Sequence, residues 1–83
     1  MVNKMKVRIL VRLKQTVHDP QGEAILQSLH HMNYLDVATI RQGKVFDIEL
    51  KDINEAKAKA LLDEIARKIL ANPIIEEYAI EWE

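Results

Sequence analysis

Apolar and basic residues alternate from position 5 to position 14, M-K-V-R-I-L-V-R-L-K. Val7, Ile9, Val11 and Leu13 fall on one side, and Lys6, Arg8, Arg12 and Lys14 on the other. A period of two predicts a strand with one buried face. Leu10 breaks the rule by pointing with the basic residues. One apolar residue on a wet face is ordinary, and it is also a place where a subunit contact can form. Asp19-Pro20 then opens a helix. The carboxylate can accept from the free N–H groups of the first turn, and the fixed φ of proline suits the first helical position. Gln21, Ile25, Ser28, Leu29 and Met32 recur at helical spacing with Ala24 beside them, so the helix is placed over Pro20 to Met32. Asn33 suits a left-handed stop. Gly22 is a poor helix former, and its place in the first turn suggests close packing or a frayed start, with the approach of a backbone or ligand as the sharper alternative.

Residues 36–50, D-V-A-T-I-R-Q-G-K-V-F-D-I-E-L, read as a hairpin. The arms are 36–41 and 44–50, and Gly43 is expected to supply the positive φ of the turn. In the second arm Phe46, Ile48 and Leu50 face one way, and Val45, Asp47 and Glu49 the other. The first arm is mildly apolar on both sides, as suits an edge that meets another subunit. A second helix is placed from Glu55 to Ala71, capped by Asp52 or Asn54, with Ala58, Leu61, Leu62, Ile65 and Ile69 as its buried stripe. Glu55–Lys59, Asp63–Arg67 and Glu64–Lys68 are acid-before-base pairs at spacing four. Asn72-Pro73 ends the helix. A last strand over 74–82 puts Tyr78, Ile80 and Trp82 on one face and Ile75, Glu77, Ala79 and Glu81 on the other.

The order strand, helix, strand, strand, helix, strand predicts the α+β class. The specific plan is ferredoxin-like βαββαβ, an antiparallel sheet of order 4-1-3-2 with two helices on one face. Charge supports the central place of the first strand. Its outer face is cationic, and its proposed neighbours carry Asp47 and Glu49 on one side and Glu77 and Glu81 on the other.

Composition narrows the function. The 83 residues suffice for one small domain, 1–83, with residues 1–4 expected to fray. With no cysteine there is neither disulfide nor thiolate chemistry, and a cytoplasmic location is the default. Twelve basic and 13 acidic residues give a net charge of −1, too balanced to draw nucleic acid or a membrane surface. No catalytic, cofactor-binding or metal-binding set is expected. His30 and His31 are adjacent and so point in different directions, and His18 reads as a surface loop residue. A solvated pair of cations, Arg41 and Lys44, flanks Gly43, where a phosphate cradle is the sharper alternative to a plain turn.

Three motifs carry a family resemblance: Val17, Asp19, Pro20 and Gly22 as V-x-D-P-x-G; Arg41, Gly43 and Lys44 as R-x-G-K; and Leu70 to Tyr78 as L-A-N-P-x-I-E-x-Y. In this order and in a chain of this length, the sequence resembles the PurS family. These are small subunits of the multi-protein formylglycinamide ribonucleotide amidotransferase of purine synthesis. The resemblance implies an assembly subunit with no active site of its own, homodimeric and in some members tetrameric. It implies two partners, a glutaminase subunit that releases ammonia and a synthetase subunit that consumes it, with ATP and Mg on the synthetase. Contact with those partners is expected at Asp19, Pro20, Gly22, Arg41, Gly43, Lys44, Asn72 and Pro73. Arg41 and Lys44 are the strongest of these, because turn geometry requires neither. The rival expectation is a dimeric ferredoxin-like module that binds a small metabolite and regulates.

Overall fold

A computed structural model of the chain describes residues 4–83. Its elements are strand β1 (Lys4–Leu13), helix α1 (Pro20–His31), strand β2 (Gly43–Lys51), helix α2 (Glu55–Ile65) and strand β3 (Glu76–Trp82). The fraying expected of residues 1–4 lies outside the described residues for 1–3, whereas Lys4 already belongs to β1.

The strand with the alternating pattern is the centre of the sheet, with β2 and β3 antiparallel on either side. Register places Lys6 opposite Glu49 and Arg8 opposite Asp47 on one side. On the other, Arg8 faces Glu81 and Arg12 faces Glu77. Arg8 Nε donates to Asp47 Oδ1 at 2.9 Å, and Lys4 Nζ lies 3.3 Å from Glu49 Oε1. Such exposed pairs are worth at most about 1 kcal/mol each, so they select neighbours more than they hold the sheet.

The inner face supplies the core. Val7, Ile9 and Val11 are buried, flanked by Phe46, Ile48 and Leu50 from β2 and Tyr78 and Ile80 from β3. Leu62 and Ala66 pack on them. α2 starts at Asn54, whose Oδ1 accepts the Lys57 N–H at 2.9 Å. Asp52 takes a positive φ of 55° in the preceding turn instead of capping. Tyr78 Oη donates to Asp63 Oδ1 at 3.2 Å and ties β3 to α2. Burial, then this bond to a carboxylate, pushes the Tyr78 phenol up.

Three expectations need correction. The helix placed up to Ala71 is α-helical only to Ile65 and closes in one π-helical turn, Ala66–Leu70. The Ala71 N–H reaches back five residues to Ala66 O at 2.8 Å. This wider turn brings Ala66 and Ala71 into the core and leaves Ile69 77% exposed. Asp63 pairs with Lys59 at 3.3 Å in place of Arg67. Of the three expected pairs at spacing four, Glu64–Lys68 forms among the described residues, at 2.6 Å.

Second, 36–41 forms no strand and Gln42-Gly43 makes no hairpin. The sheet has three strands in the order β2-β1-β3, which keeps the expected central trio without its fourth member. Gly43 has no positive φ. The segment runs beside α1. His30 Nε2 donates to Val37 O at 2.8 Å near one end of the helix, and Gln42 N–H donates to Asp19 Oδ2 at 2.7 Å at the other. Ile40 O lies against Gly22. Eight residues of helix, from Gly22 to His30, rise about 12 Å. Three residues, from Val37 to Ile40, reach about 10 Å when fully extended, and the His30 side chain makes up the rest. The backbone is thus strand-like, with α1 as its neighbour in place of β2.

Third, α1 does not share the inner face with α2. The core contains no residue between Val11 and Phe46, and Gly22 is the one buried residue of α1. The radius of gyration is 16.8 Å, where a compact chain of this length has about 12 Å. The principal extents are 54 × 28 × 15 Å. α1 and the extended segment form an arm that stands off a small body.

Candidate docking site at one end of the sheet

The arm joins the body where β1 ends and where β2 and β3 begin. Asp19 makes the joint. It is 6% exposed, and both carboxylate oxygens are engaged: Gly22 N–H donates to Oδ1 at 3.0 Å and Gln42 N–H to Oδ2 at 2.7 Å. The first bond caps α1 and the second fastens the strand-like segment to it. The Gln42 amide, then the Gly22 amide, holds the carboxyl below the usual carboxylate range against the opposing effect of burial. A depressed folded-state pKa gives stability that is present above the unfolded value and lost as pH falls through the folded one. The joint should therefore be intact at neutral pH. On acidification below about pH 4, the ordinary aspartate range, the Gln42 amide should lose hydrogen-exchange protection. Asp19→Asn should weaken the joint at neutral pH and remove its contribution to that acid dependence. An unchanged acid profile in the variant would contradict this assignment.

Gly22 is required by packing. An added Cβ would press on Ile40 O closer than side chains ever approach a carbonyl, and would lie 2.7 Å from Asp19 Oδ2. Its expected close approach is thus that of the chain's own backbone. Pro20 occupies the first helical position, as its sequence place predicts. Gly43 also serves close approach, since a Cβ there would come 2.8 Å from Val11 O.

Two further links converge on the same end. Arg41 Nη2 donates to Lys14 O at 3.0 Å, and Lys14 N–H donates to Ile75 O at 2.9 Å. Lys14 thus connects the arm to the turn before β3. Lys44 continues the inward side of β2, with Phe46 two residues on, and its Nζ lies 3.6 Å from Glu76 Oε2. Glu76 Oε1 accepts the Asn72 N–H at 2.7 Å, and Asn72 Oδ1 accepts the Ile74 N–H at 3.1 Å across Pro73. The structure therefore gathers Asp19, Pro20, Gly22, Arg41, Gly43, Lys44, Asn72 and Pro73 around one end of the sheet. Lys44 is not at a hairpin tip but in an ion pair that closes that end of the inner face.

The participants outside the expected contact set are Lys14, Ile40, Gln42, Ile74, Ile75 and Glu76. Glu76 was within reach, because Tyr78 faces inward and a period of two carries Glu76 to the same side, where Lys44 also falls. Lys14, Ile40 and Gln42 act through backbone groups, which leave no mark in side-chain pattern.

Between these groups lies a cleft of about 260 Å³ lined by Val11, Leu13, Gln21, Gln42, Lys44 and Glu76, among others. Its carboxylates are committed, Asp19 to two amides and Glu76 to an amide and an ammonium. Among the described residues no three His, Asp or Glu side chains gather where one metal ion could reach them. No helix among the described residues is long and apolar enough to cross a membrane. The arrangement fixes shape and presents Arg41, Lys44 and the Pro73 turn at the surface.

A family model described as PurS: Phosphoribosylformylglycinamidine (FGAM) synthase matches residues 6–83. The chain belongs to the PurS family. The match takes in all three motifs and every residue of the site. The Bacillus subtilis protein described as phosphoribosylformylglycinamidine synthase subunit PurS is 38% identical over 78 residues, 94% of this chain and 92% of that one. Its Methanocaldococcus jannaschii counterpart is 33% identical, over 94% of each chain. Solved PurS structures share the whole shape. The B. subtilis PurS structure superposes with a TM-score of 0.87, at 38% identity, over 95% of this chain and 98% of that one. A chain in the structure of PurLQS from Thermotoga maritima gives 0.88, at 31% identity, over 98% and 99%. The arm from Pro20 to Gln42 is 23 residues, more than a quarter of the chain. Agreement over nearly the full length takes in the residues of the arm.

Proposed function

We propose that this chain is the assembly subunit of a phosphoribosylformylglycinamidine synthase and performs no chemistry itself. In this reading it associates with itself in the cytoplasm and bridges a glutaminase subunit and a synthetase subunit. The synthetase, carrying ATP and Mg, converts formylglycinamide ribonucleotide to formylglycinamidine ribonucleotide with ammonia released from glutamine. The chain holds the two active sites so that ammonia passes between them without escaping to water, and such positioning can supply several kcal/mol of rate advantage. The observation that carries the reading is the full-length likeness to the chain in the PurLQS structure. Both carboxylates at the joint are engaged within the chain, Asp19 by two amides and Glu76 by an amide and an ammonium, which supports a structural part for them.

The test is a mixing experiment on a sizing column with both larger subunits, glutamine and ATP–Mg. The wild-type chain should co-migrate with them. Arg41→Ala with Lys44→Ala should leave the isolated chain folded, because Arg41 loses one exposed hydrogen bond and the Glu76 left by Lys44 still accepts the Asn72 N–H. The same double variant should weaken the assembly at least tenfold. Unchanged assembly would remove these two residues from the contact. A wild-type chain that never co-migrates would overturn the reading.

A further inference from the structure

We propose that the outer face of the sheet, at the end where the arm joins, binds a carboxylate carried by an acidic segment of one of the two larger subunits, with Arg12 and Arg41 as its jaws. This names the chemistry of the partner in the assembly proposed above and rests on that reading. The first observation is how charge is distributed along the outer face. Register sets an uncharged row, Val45, Leu10 and Ala79, across its middle. Away from the arm, each cation of β1 has an acid beside it. Lys4 pairs with Glu49 and Arg8 with Asp47, while Lys6 lies between Glu49 and Glu83. On the arm's side of the row the match fails. Arg12 lies opposite Gly43, which has no side chain, and opposite Glu77, with which it forms no ion pair among the described residues. Arg41 adds a second guanidinium there, while the next acid, Glu76, is turned inward to Lys44.

The second observation is convergence. Arg12 and Arg41 come from different elements, β1 and the arm, and line one cleft of about 100 Å³ with Leu13, Gln15, Gln42 and Glu77. The joint brings Arg41 to this place. Gln42 beside it is fastened to Asp19, and its own Nη2 donates to Lys14 O at 3.0 Å. A guanidinium has five N–H donors, so most of those of Arg41 remain for a ligand. A guanidinium already held in place loses little freedom on binding, and its planar fork matches a carboxylate through two parallel bonds.

Glu77 decides which anion fits. Two guanidinium groups and one carboxylate leave a single positive charge in the cleft, which one further carboxylate balances. A phosphate monoester carries close to two negative charges at neutral pH and would be pressed against Glu77. Exposure decides the source. Both arginines are exposed, and an exposed ion pair shifts an equilibrium by a factor of about five at most. A free acid needs a factor of roughly a thousand to bind at millimolar concentration. A carboxylate borne on a docking surface needs no such factor, because the rest of that surface brings it to the cleft.

The experiment measures binding of the chain to each larger subunit, singly and together, with glutamine and ATP–Mg present, at low and at high salt. Arg12→Ala is expected to raise the dissociation constant about tenfold at low salt, chiefly through slower association. The gap to wild type should narrow as salt screens the contact. Glu77→Gln should lower the constant severalfold, because it removes the acid that repels the ligand; a merely structural part for Glu77 would not tighten binding. Lys6→Ala, on the matched end of the face, should leave it unchanged. Wild-type assembly with unchanged binding in either Arg12→Ala or Glu77→Gln would overturn the carboxylate site and leave the assembly reading standing. A wild-type chain that binds neither larger subunit would overturn both. Millimolar inorganic phosphate that shifts the Arg12 and Arg41 Nε–H resonances of the isolated chain would make the cleft a phosphate site and would also overturn the proposal.

Discussion

Gly22→Ala is expected to destabilise the protein, although glycine to alanine inside a helix is ordinarily worth about 1 kcal/mol in the opposite direction. Packing decides the sign. The new methyl would meet Ile40 O at a distance no real Cβ tolerates, and Asp19 Oδ2 at 2.7 Å. Neither neighbour is a flexible tip. Ile40 O is backbone, held by the Gln42 bond two residues on, and Asp19 is fixed by two amides. Overpacking of this kind costs about 1–3 kcal/mol, and each kcal/mol lowers Tm by roughly 4–8 °C in a domain of this size. Thermal melting checks the loss, and faster exchange at the Gln42 amide would place it at the joint. A Tm equal to or above that of the parent would show that the arm can move off α1 freely.

Leu62→Ala should have the largest effect of any single truncation on the body. Leu62 is fully buried against Ile9 and Val11 in a core of six buried residues. Such truncations cost about 2–5 kcal/mol, against a total stability of about 4–12 kcal/mol for a chain this short. Denaturant unfolding should show a midpoint reduced by a third or more. The same change at Leu61, its neighbour but 37% exposed, should cost clearly less. Equal losses at the two positions would mean that α2 meets the sheet on a different face.

Side-chain pattern carried the body of the fold well. The alternation from Lys6 to Lys14 identified a half-buried strand, and opposite charges supported its two expected neighbours, which the register pairs as Arg8 with Asp47 and Glu81. Asp19-Pro20 placed the start of α1 to the residue. The misses have a common physical cause. V-A-T-I has the composition of a strand and an extended backbone, but composition does not say which edge such a segment joins. The same holds for α1, whose stripe predicts that it is covered without saying by what. The π-helical turn at Ala66–Leu70 departs from the period of 3.6 on which the helix reading rested. At the site, the residue types were legible from the motifs, whereas the work of the joint is done largely by the amides of Gly22 and Gln42 and the carbonyls of Lys14 and Ile40.

The account rests on a chain that acts by holding others. Its most direct test is to give formylglycinamide ribonucleotide, glutamine and ATP–Mg to the glutaminase and synthetase subunits with and without this protein, and to measure formylglycinamidine ribonucleotide. Glutamine-driven synthesis is predicted only in its presence, with no turnover by the purified chain. An equal rate in its absence, or product formed by the chain alone, would contradict the account.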